Sequence, residues 1–169
     1  EVNDPESAYD LWKINPDGTG LARFAETPGY SSGSPDWSPD GKFIAYDTWK
    51  NEETYMKSQV AVIRADGTDI RLLGPGAMPS WSPDGKQLSF TKEFSSTGDF
   101  AVMVADADGG NVRRLTGGKG EIWYSGGTSW SPDGKLIAVN RGMWKPTFHF
   151  EVVVLRSDDG QEEWCTKGD

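Results

Sequence analysis

The chain has 169 residues, including 21 glycines, 10 prolines and 8 tryptophans, and its formal net charge is −9. Glycine or proline interrupts nearly every window that could hold a long helix, so the composition predicts short strands joined by frequent turns. The negative charge disfavours phosphate backbones and anionic membrane surfaces as partners, and no apolar stretch approaches the roughly 20 residues needed to cross a bilayer. We therefore expect neither nucleic-acid binding nor membrane insertion.

The first predicted element is a β-hairpin around Asp17-Gly18. Asp-Gly between two β-prone runs is a strong hairpin signal, and the two runs here are residues 11–14 and 21–24. The same pattern returns at Asp66-Gly67, Asp108-Gly109 and Asp159-Gly160. We call these four elements the outer hairpins, because they alternate along the chain with a second kind of hairpin.

That second hairpin contains the string Trp-Ser-Pro-Asp-Gly-Lys, which occurs at residues 37–42, 81–86 and 130–135. Ser-Pro-Asp-Gly holds the residues that a tight turn needs, because Pro presets φ, Asp suits the third position and Gly suits the fourth. A β-prone run follows each copy. Each hexapeptide therefore predicts a hairpin with a bulged turn, and we call these three elements the inner hairpins.

The spacing of the hexapeptides predicts the architecture. Successive copies lie 44 and 49 residues apart, and a period of about 40 to 50 residues is typical of one four-stranded propeller blade. We predict an all-β fold, a β-propeller of four-stranded antiparallel blades in a single domain over residues 1–169. Two strands per hairpin give about 14 strands, and four outer and three inner hairpins make about three and a half to four blades.

Each hexapeptide contributes three structural residues. We predict that its tryptophan is largely buried between adjacent blades, and that its aspartate and glycine form the turn. These residues are Trp37, Trp81 and Trp130, then Asp40, Asp84 and Asp133, then Gly41, Gly85 and Gly134.

The three hexapeptides, together with Asp-Gly-x-x-Val-Arg-Arg-Leu-Thr at 108–116, resemble the WD-like propeller repeat of the TolB family. The resemblance extends from about Tyr9 to Thr166. It implies the propeller fold and a protein-binding role in the periplasm or outside the cell. Related repeats also occur in the gating propellers of prolyl-oligopeptidase-like peptidases and in some polysaccharide lyases, so the motif specifies the fold more than the function.

The hairpin count leaves one inner pair of strands unaccounted for. An open ring would expose β-edges and apolar blade faces, and such surfaces recruit other chains. Three ways of closing the ring remain open. A second copy completes a larger propeller of about 8 blades, residues Glu1 to Ala8 and the tail at Cys165 supply the missing strands, or the chain is part of a longer one.

The loops between inner and outer hairpins and between blades are long and aromatic. In a propeller these loops meet on one face, and loops on a rigid scaffold are where binding residues concentrate. Exposed Trp, Tyr and Arg suit contacts with proteins or sugars, although the aromatic residues would also serve to cap the blade ends. The candidate ligand-binding residues are Trp49, Tyr55, Glu121, Trp123, Tyr124, Arg141, Trp144 and His149.

Motifs that carry chemistry are weak in this sequence. Residues 29–33 match the G-x-S-x-G pattern but lie in a loop, without the strand and helix that a nucleophile elbow needs. Asp106 and Asp108 resemble the start of a calcium loop that lacks its distal Glu, and one His with one Cys cannot build an ordinary zinc site. We therefore expect no catalytic residue, no metal and no cofactor.

The sequence favours a non-catalytic TolB-like module that binds a protein or peptide on its loop face. One alternative is a carbohydrate-active lyase or hydrolase, for which His149, Arg141 and Glu121 are the available cluster. The other is a half-propeller that assembles into a larger ring, for instance as a homodimer. The resemblance implies a periplasmic or extracellular location, although the sequence opens with no basic and apolar segment of the signal-peptide kind.

Overall fold

A computed structural model describes residues 9–25, 28–94, 99–116, 122–143 and 149–166; the side chains of residues 25, 99, 122, 123 and 125 are not described. One 3-10 turn, Tyr55–Lys57, is the single helical element among these residues. The strands are β1 (Leu11–Lys13), β2 (Ala22–Ala25), β3 (Tyr30–Trp37), β4 (Phe43–Lys50), β5 (Gln59–Arg64), β6 (Arg71–Pro75), β7 (Ala77–Trp81), β8 (Gln87–Phe94), β9 (Asp99–Asp106), β10 (Arg113–Arg114), β11 (Ile122–Trp130), β12 (Leu136–Met143), β13 (His149–Arg156) and β14 (Glu162–Cys165).

Three antiparallel four-stranded sheets follow one another along the chain. Their orders are β3-β4-β5-β6, β7-β8-β9-β10 and β11-β12-β13-β14, and β1 pairs with β2 in a separate two-stranded sheet. We call the three sheets blades 1, 2 and 3, and β1–β2 the first hairpin. The innermost strand of blade 2, β7, contacts β3 on one side and β11 on the other, so the blades are arranged as in a propeller. The predicted all-β fold and its 14 strands are confirmed within the described residues.

Each Ser-Pro-Asp-Gly turn is closed by its own hydrogen bonds. In blade 1 the Ser38 hydroxyl donates to Asp40 Oδ1 over 2.7 Å and accepts from the Phe43 amide over 2.9 Å. The amide of Lys42 also donates to Asp40 Oδ1, and Gly41 has a φ of 69° that favours glycine. The Ser38 hydroxyl, followed by the Lys42 amide, lowers the pKa of Asp40.

The turns of blades 2 and 3 repeat this network atom for atom. Ser82 donates to Asp84 over 2.7 Å, and Ser131 donates to Asp133 over 2.6 Å. The same serine hydroxyls lower the pKa of both carboxyls. Because the carboxyls are held ionised, the turns contribute stability above the ordinary carboxyl pKa, and this contribution is lost as the pH falls below that value.

The strand register separates two faces of the molecule. Tyr30 at the start of β3 pairs with Lys50 at the end of β4, and Gln59 at the start of β5 pairs with Pro75 at the end of β6. The loops between inner and outer hairpins and the loops between blades therefore share one end, the loop face. The Ser-Pro-Asp-Gly and Asp-Gly turns share the opposite end, the turn face.

The core lies between the blades and not within any one of them. Ala45 and Val62 of blade 1 pack against Trp81 and Leu88 of blade 2. A larger cluster lies between blades 2 and 3. Blade 2 contributes Val102, Val104 and, at its edge, Leu115, and blade 3 contributes Tyr124, Ile137, Val139, Val153 and Leu155. A sheet with two apolar faces buries each face only where a neighbouring sheet lies against it. Blade 3 does so with Val153 and Leu155 towards blade 2, whereas Phe150 and Val152 of the same strand are exposed.

Polar bonds align the inner strands of neighbouring blades. The Trp81 amide donates to Asp36 Oδ2 over 2.7 Å, which ties blade 2 to blade 1. The hydroxyls of Ser89 and Thr128 lie 2.6 Å apart and tie blade 2 to blade 3, with both residues buried. These bonds fix how far one inner strand can slide along the next.

The three hexapeptide tryptophans differ in burial, and the prediction that all three are buried is wrong for Trp37. Trp81 is 7% exposed between blades 1 and 2. Trp130 is half-buried against the cluster of blades 2 and 3, and its Nε1 donates to the Ser80 carbonyl over 3.2 Å. Trp37 is 51% exposed. Each tryptophan packs on the blade before its own, and the first hairpin, which precedes Trp37, has no inner strands among the described residues.

We expect Trp81→Ala to destabilise the fold by about 3 to 5 kcal/mol, because it empties a packed site between two blades. Trp37→Ala is the matched control from the same repeat position, and in the single chain it should cost less than about 1 kcal/mol because half of the ring is already in water. Urea unfolding of both variants measures the difference. Equal losses would contradict the packing described for Trp81.

The outer turn of blade 3 is held against blade 2. Arg113 donates from Nη1 to the Asp158 carbonyl over 3.1 Å and from Nη2 to the Ser157 carbonyl. Gly160 lies in the same turn with a φ of 73°, and a Cβ on it would stand 2.2 Å from the Leu115 carbonyl oxygen. This position therefore requires glycine for two reasons, its backbone conformation and its closeness to blade 2.

Gly160→Ala should cost clearly more stability than Gly18→Ala, although both glycines occupy left-handed positions in Asp-Gly turns. No atom lies within 4 Å of the position that a Cβ on Gly18 would take. Gly18→Ala should therefore lose only the stability that a left-handed backbone conformation costs a non-glycine residue, about 1 to 2 kcal/mol. Thermal unfolding of the two variants tests this. A Gly160→Ala loss no greater than that of the Gly18 control would show that the Leu115 contact is relieved at little cost.

Candidate functional site

A largely apolar cavity of about 360 Å³ opens on the loop face between blades 1 and 2. The loop 51–58 forms one wall, the link from β6 to β7 forms the second, and the ends of β8 and β9 form the third. The bulge of β11 closes it from blade 3. The lining residues are Tyr55, Met56, Ser58, Pro75, Gly76, Ala77, Met78, Thr91, Lys92, Glu93, Phe100 and Gly126.

A buried carboxylate, Asp47, lies directly behind this wall. Its Oδ2 accepts from the Tyr55 hydroxyl over 2.9 Å and from the Met78 amide over 2.8 Å, and both donors belong to cavity residues. Asp47 is fully buried, and no described residue donates a hydrogen bond to its Oδ1. A buried charge of this kind is costly unless it is paired.

Three aromatic rings form a row that ends at Asp47. The Trp49 ring meets the Tyr55 ring edge to face at 4.9 Å, and the Tyr9 ring lies 5.9 Å from Trp49 on the other side. Tyr9 is held beside β3 because its carbonyl accepts from the Ser32 amide over 3.0 Å. Burial, followed by the negative charge of Asp47, raises the pKa of Tyr55, so the hydroxyl keeps its proton and continues to donate.

The inner strands are distorted where they pass this cluster. Ser34 in β3 and Met78 in β7 have φ values of 49° and 54°, in the left-handed region that residues other than glycine rarely adopt. Both lie in β-bulges, between Gly33 and Asp36 and between Ala77 and Ser80. The bulge in β7 turns the Met78 amide towards Asp47 of the neighbouring blade. Bulges commonly change the direction of a group in this way.

A second polar cluster lies in blade 3. Arg141 donates from Nε and Nη2 to Glu151 Oε2, over 3.0 and 2.6 Å, and from Nη1 to Glu162 over 2.6 Å. Burial lowers the pKa of Arg141, but the bonds to Glu151 and Glu162 outweigh it, and the net pKa is above the ordinary value. His149 Nε2 lies 3.8 Å from Glu151 Oε1. The guanidinium charge is thus neutralised within its own blade.

The family model of the TolB β-propeller domain matches residues 2–168 of this chain. The chain belongs to the TolB β-propeller family. The resemblance seen in the repeats is thereby confirmed.

Solved structures support the same fold. TolB from Acinetobacter baumannii superposes with a TM-score of 0.69 at 22% identity, covering 94% of this chain and 38% of that one. An oligogalacturonate lyase in complex with manganese superposes with a TM-score of 0.72 at 11% identity, covering 95% and 49%. Identities this low show the shared propeller fold and no more.

A curated relative from Agrobacterium fabrum, an uncharacterized protein, is 28% identical over 146 residues. The match covers 80% of this chain and 48% of the relative. The chain therefore spans about half the length of that relative, and less than half of the Acinetobacter TolB chain.

In this TolB-family chain, the predicted site residues fall into two separate groups. Trp49 and Tyr55 lie together in blade 1, beside the cavity. Arg141 and His149 lie in the blade 3 cluster. Tyr124 belongs to the same group, because it pairs with Arg141 across the sheet and hydrogen-bonds to it, although its ring is buried in the core between blades 2 and 3. Glu121, Trp144 and the side chain of Trp123 lie outside the described residues.

Three further residues belong to these groups without having been predicted from the sequence: Tyr9, Asp47 and Glu151. Asp47 follows four residues of a buried strand, and Glu151 stands among apolar residues in β13. A charged residue within an apolar strand is itself a signal, because such residues are rarely buried without a partner. Tyr9 offers no comparable local signal, since its position depends on the bond to Ser32.

The calcium-loop-like motif and the G-x-S-x-G match have structural roles in the described part of the chain. Asp108 Oδ1 accepts from the Gly110 amide over 2.8 Å, and Asp106 Oδ2 accepts from the Asn111 side chain over 2.6 Å, as in a turn. Residues 30–33 of the G-x-S-x-G match were expected in a loop, and this is wrong, because they belong to strand β3. Across the described ranges no group of three metal-ligating side chains comes together, and no helix is long and apolar enough to span a bilayer.

Proposed function

We propose that this chain is a TolB-like binding module that holds a peptide or an extended protein segment on its loop face. The observation that carries the proposal is the cavity beside Tyr55 and Met78, which is apolar, open at the loop face and large enough for one or two side chains. Pockets of this kind, with a few convergent polar groups, are the usual form of a ligand site.

The chemistry of the cavity favours a peptide over an acidic sugar. Its lining is dominated by Met56, Pro75, Met78 and Phe100, and methionine and aromatic side chains suit adaptable contacts with apolar side chains. The arginine that an anionic sugar would need, Arg141, is already bound by Glu151 and Glu162. A binding role without catalysis fits these features best, in an extracytoplasmic compartment as the family resemblance implies.

A phage-displayed library of 12-residue peptides, selected on the immobilised chain, tests this proposal. Selected peptides should lose at least about tenfold in affinity with Met78→Ala or Tyr55→Ala, because each variant removes part of the cavity wall. Trp12→Ala is the control, since Trp12 is exposed on the first hairpin, away from the cavity. Selected peptides that bind all three variants equally would place the site elsewhere.

A second candidate role is assembly, which one specific observation favours. Within the described residues β1 pairs with β2 alone, and the exposed rings of Trp37 and Trp12 line a groove of about 210 Å³ with Leu11, Phe24 and Pro35. The equivalent tryptophan of blade 2 is covered by blade 1. We propose that a second copy of this chain covers the groove, so that two partial rings form one larger propeller.

Light scattering at micromolar concentration tests the assembly. The expected mass is twice the 18.5 kDa of one chain, and Trp37→Asp should return the protein to the single-chain mass, because the charge would be buried at the contact. A single-chain mass for the unaltered protein would rule out the second copy. Loop-face binding of peptides is independent of this result.

A further inference from the structure

The buried carboxylate of Asp47 lacks a cationic partner among the described residues. Its Oδ2 is satisfied by Tyr55 and Met78, both neutral donors, while Oδ1 accepts from none of the residues that the structure describes. Lys92, a cation in the adjacent cavity wall, lies over the Phe94 ring at 5.3 Å. Half of the carboxylate is therefore left without the hydrogen bonds that buried charges ordinarily have.

The free oxygen faces a position kept open by glycine. A Cβ on Gly33 would stand 3.2 Å from Asp47 Oδ1 and 3.8 Å from the Trp49 ring. Gly33 does not have a positive φ, so its backbone conformation does not demand glycine. A side chain there would crowd Oδ1, so glycine keeps the approach to the carboxylate beside the indole free of side-chain atoms.

The surrounding rings suit a cation as well. Trp49 and Tyr55 are half-buried, and Tyr9, 64% exposed, extends the row towards solvent. Aromatic faces attract ammonium and guanidinium groups, most strongly where water is excluded. A carboxylate beside several aromatic rings, on a chain of net charge −9, is arranged to receive positive charge.

From these observations we infer that Asp47, Trp49, Tyr55 and Tyr9 form a recognition site for the cationic side chain of a lysine or arginine in a bound peptide. The inference rests on the proposed function and names the chemistry of its ligand. The charged group binds at Asp47 Oδ1 between the rings, and neighbouring apolar residues of the peptide occupy the cavity behind Tyr55. Entry requires the Tyr55 ring to turn outward, and Tyr55 stands on a single 3-10 turn within the exposed loop 51–58.

Two small probes that differ only by a terminal ammonium group test the site. They are N-acetyl-lysine methylamide and N-acetyl-norleucine methylamide, which lacks the terminal ammonium group and is otherwise the same. Each is titrated into the ¹⁵N-labelled chain while the Gly33 amide and the Trp49 indole N–H signals are followed by NMR. The lysine probe should bind at least about tenfold more tightly, because charge-assisted hydrogen bonds are the strong ones. Equal affinity of the two probes would overturn the inference.

Three variants distinguish the contribution of the Asp47 carboxylate to binding from that of its surroundings. Asp47→Asn keeps the shape and should reduce lysine binding to the level of norleucine, a loss of at least about tenfold. Glu53→Gln removes an equal charge from the exposed loop 51–58, which follows the strand of Asp47, and should change affinity by less than about twofold. If Asp47→Asn does not fold, Gly33→Ala decides instead, because its methyl group fills the space beside Oδ1 and should weaken lysine binding by a similar factor.

The outcomes separate this inference from the proposed function. If norleucine shifts the cavity signals and lysine binds no better, the peptide site stands and the cation site is wrong. If selected peptides do not depend on Met78 or Tyr55, the proposed function itself fails. Shifts of Gly33 and Trp49 produced by Ca²⁺ or Mg²⁺ alone, without any from the lysine probe, would assign the carboxylate to a metal ion and overturn the inference.

Discussion

The structure depends on one constraint: no blade covers its own faces. The four-stranded sheets carry apolar side chains on both sides, and these are buried where a neighbouring sheet lies against them. The hexapeptide tryptophan follows this rule, because its environment is set by the preceding blade and not by its own turn. Trp81 and Trp37 have the same local sequence and opposite exposures for that reason.

The same constraint places the candidate site. Asp47 is buried because blade 2 lies against it, and the amide that binds it comes from the bulge of β7. The carboxylate therefore connects two blades on one oxygen and leaves the other facing the inner strand. Function and architecture share these atoms, so the geometry of the site depends on the packing of neighbouring blades.

Much of the fold could be predicted from the sequence because its signals are local. The hexapeptides carry their own turn chemistry, and Asp-Gly marks each outer hairpin, so strand number and blade composition follow from spacing alone. The site was predictable only in part. Trp49 and Tyr55 stood out as loop aromatics, whereas Asp47 acquires its partners from residues 8 and 31 positions away. Contacts between blades join residues at irregular separations along the chain, so no repeating sequence pattern predicts them.

The Ser-Pro-Asp-Gly turns have a consequence for how such chains change in evolution. All the hydrogen bonds of the network lie within six residues, from Ser38 to Phe43 in the first copy. A unit that satisfies its own polar groups can be duplicated or deleted without leaving unsatisfied donors in its neighbours. Ring size is then free to drift by whole repeats, and only the side chains between sheets, such as Asp36 and Ser89, need to be adjusted when a copy is gained or lost.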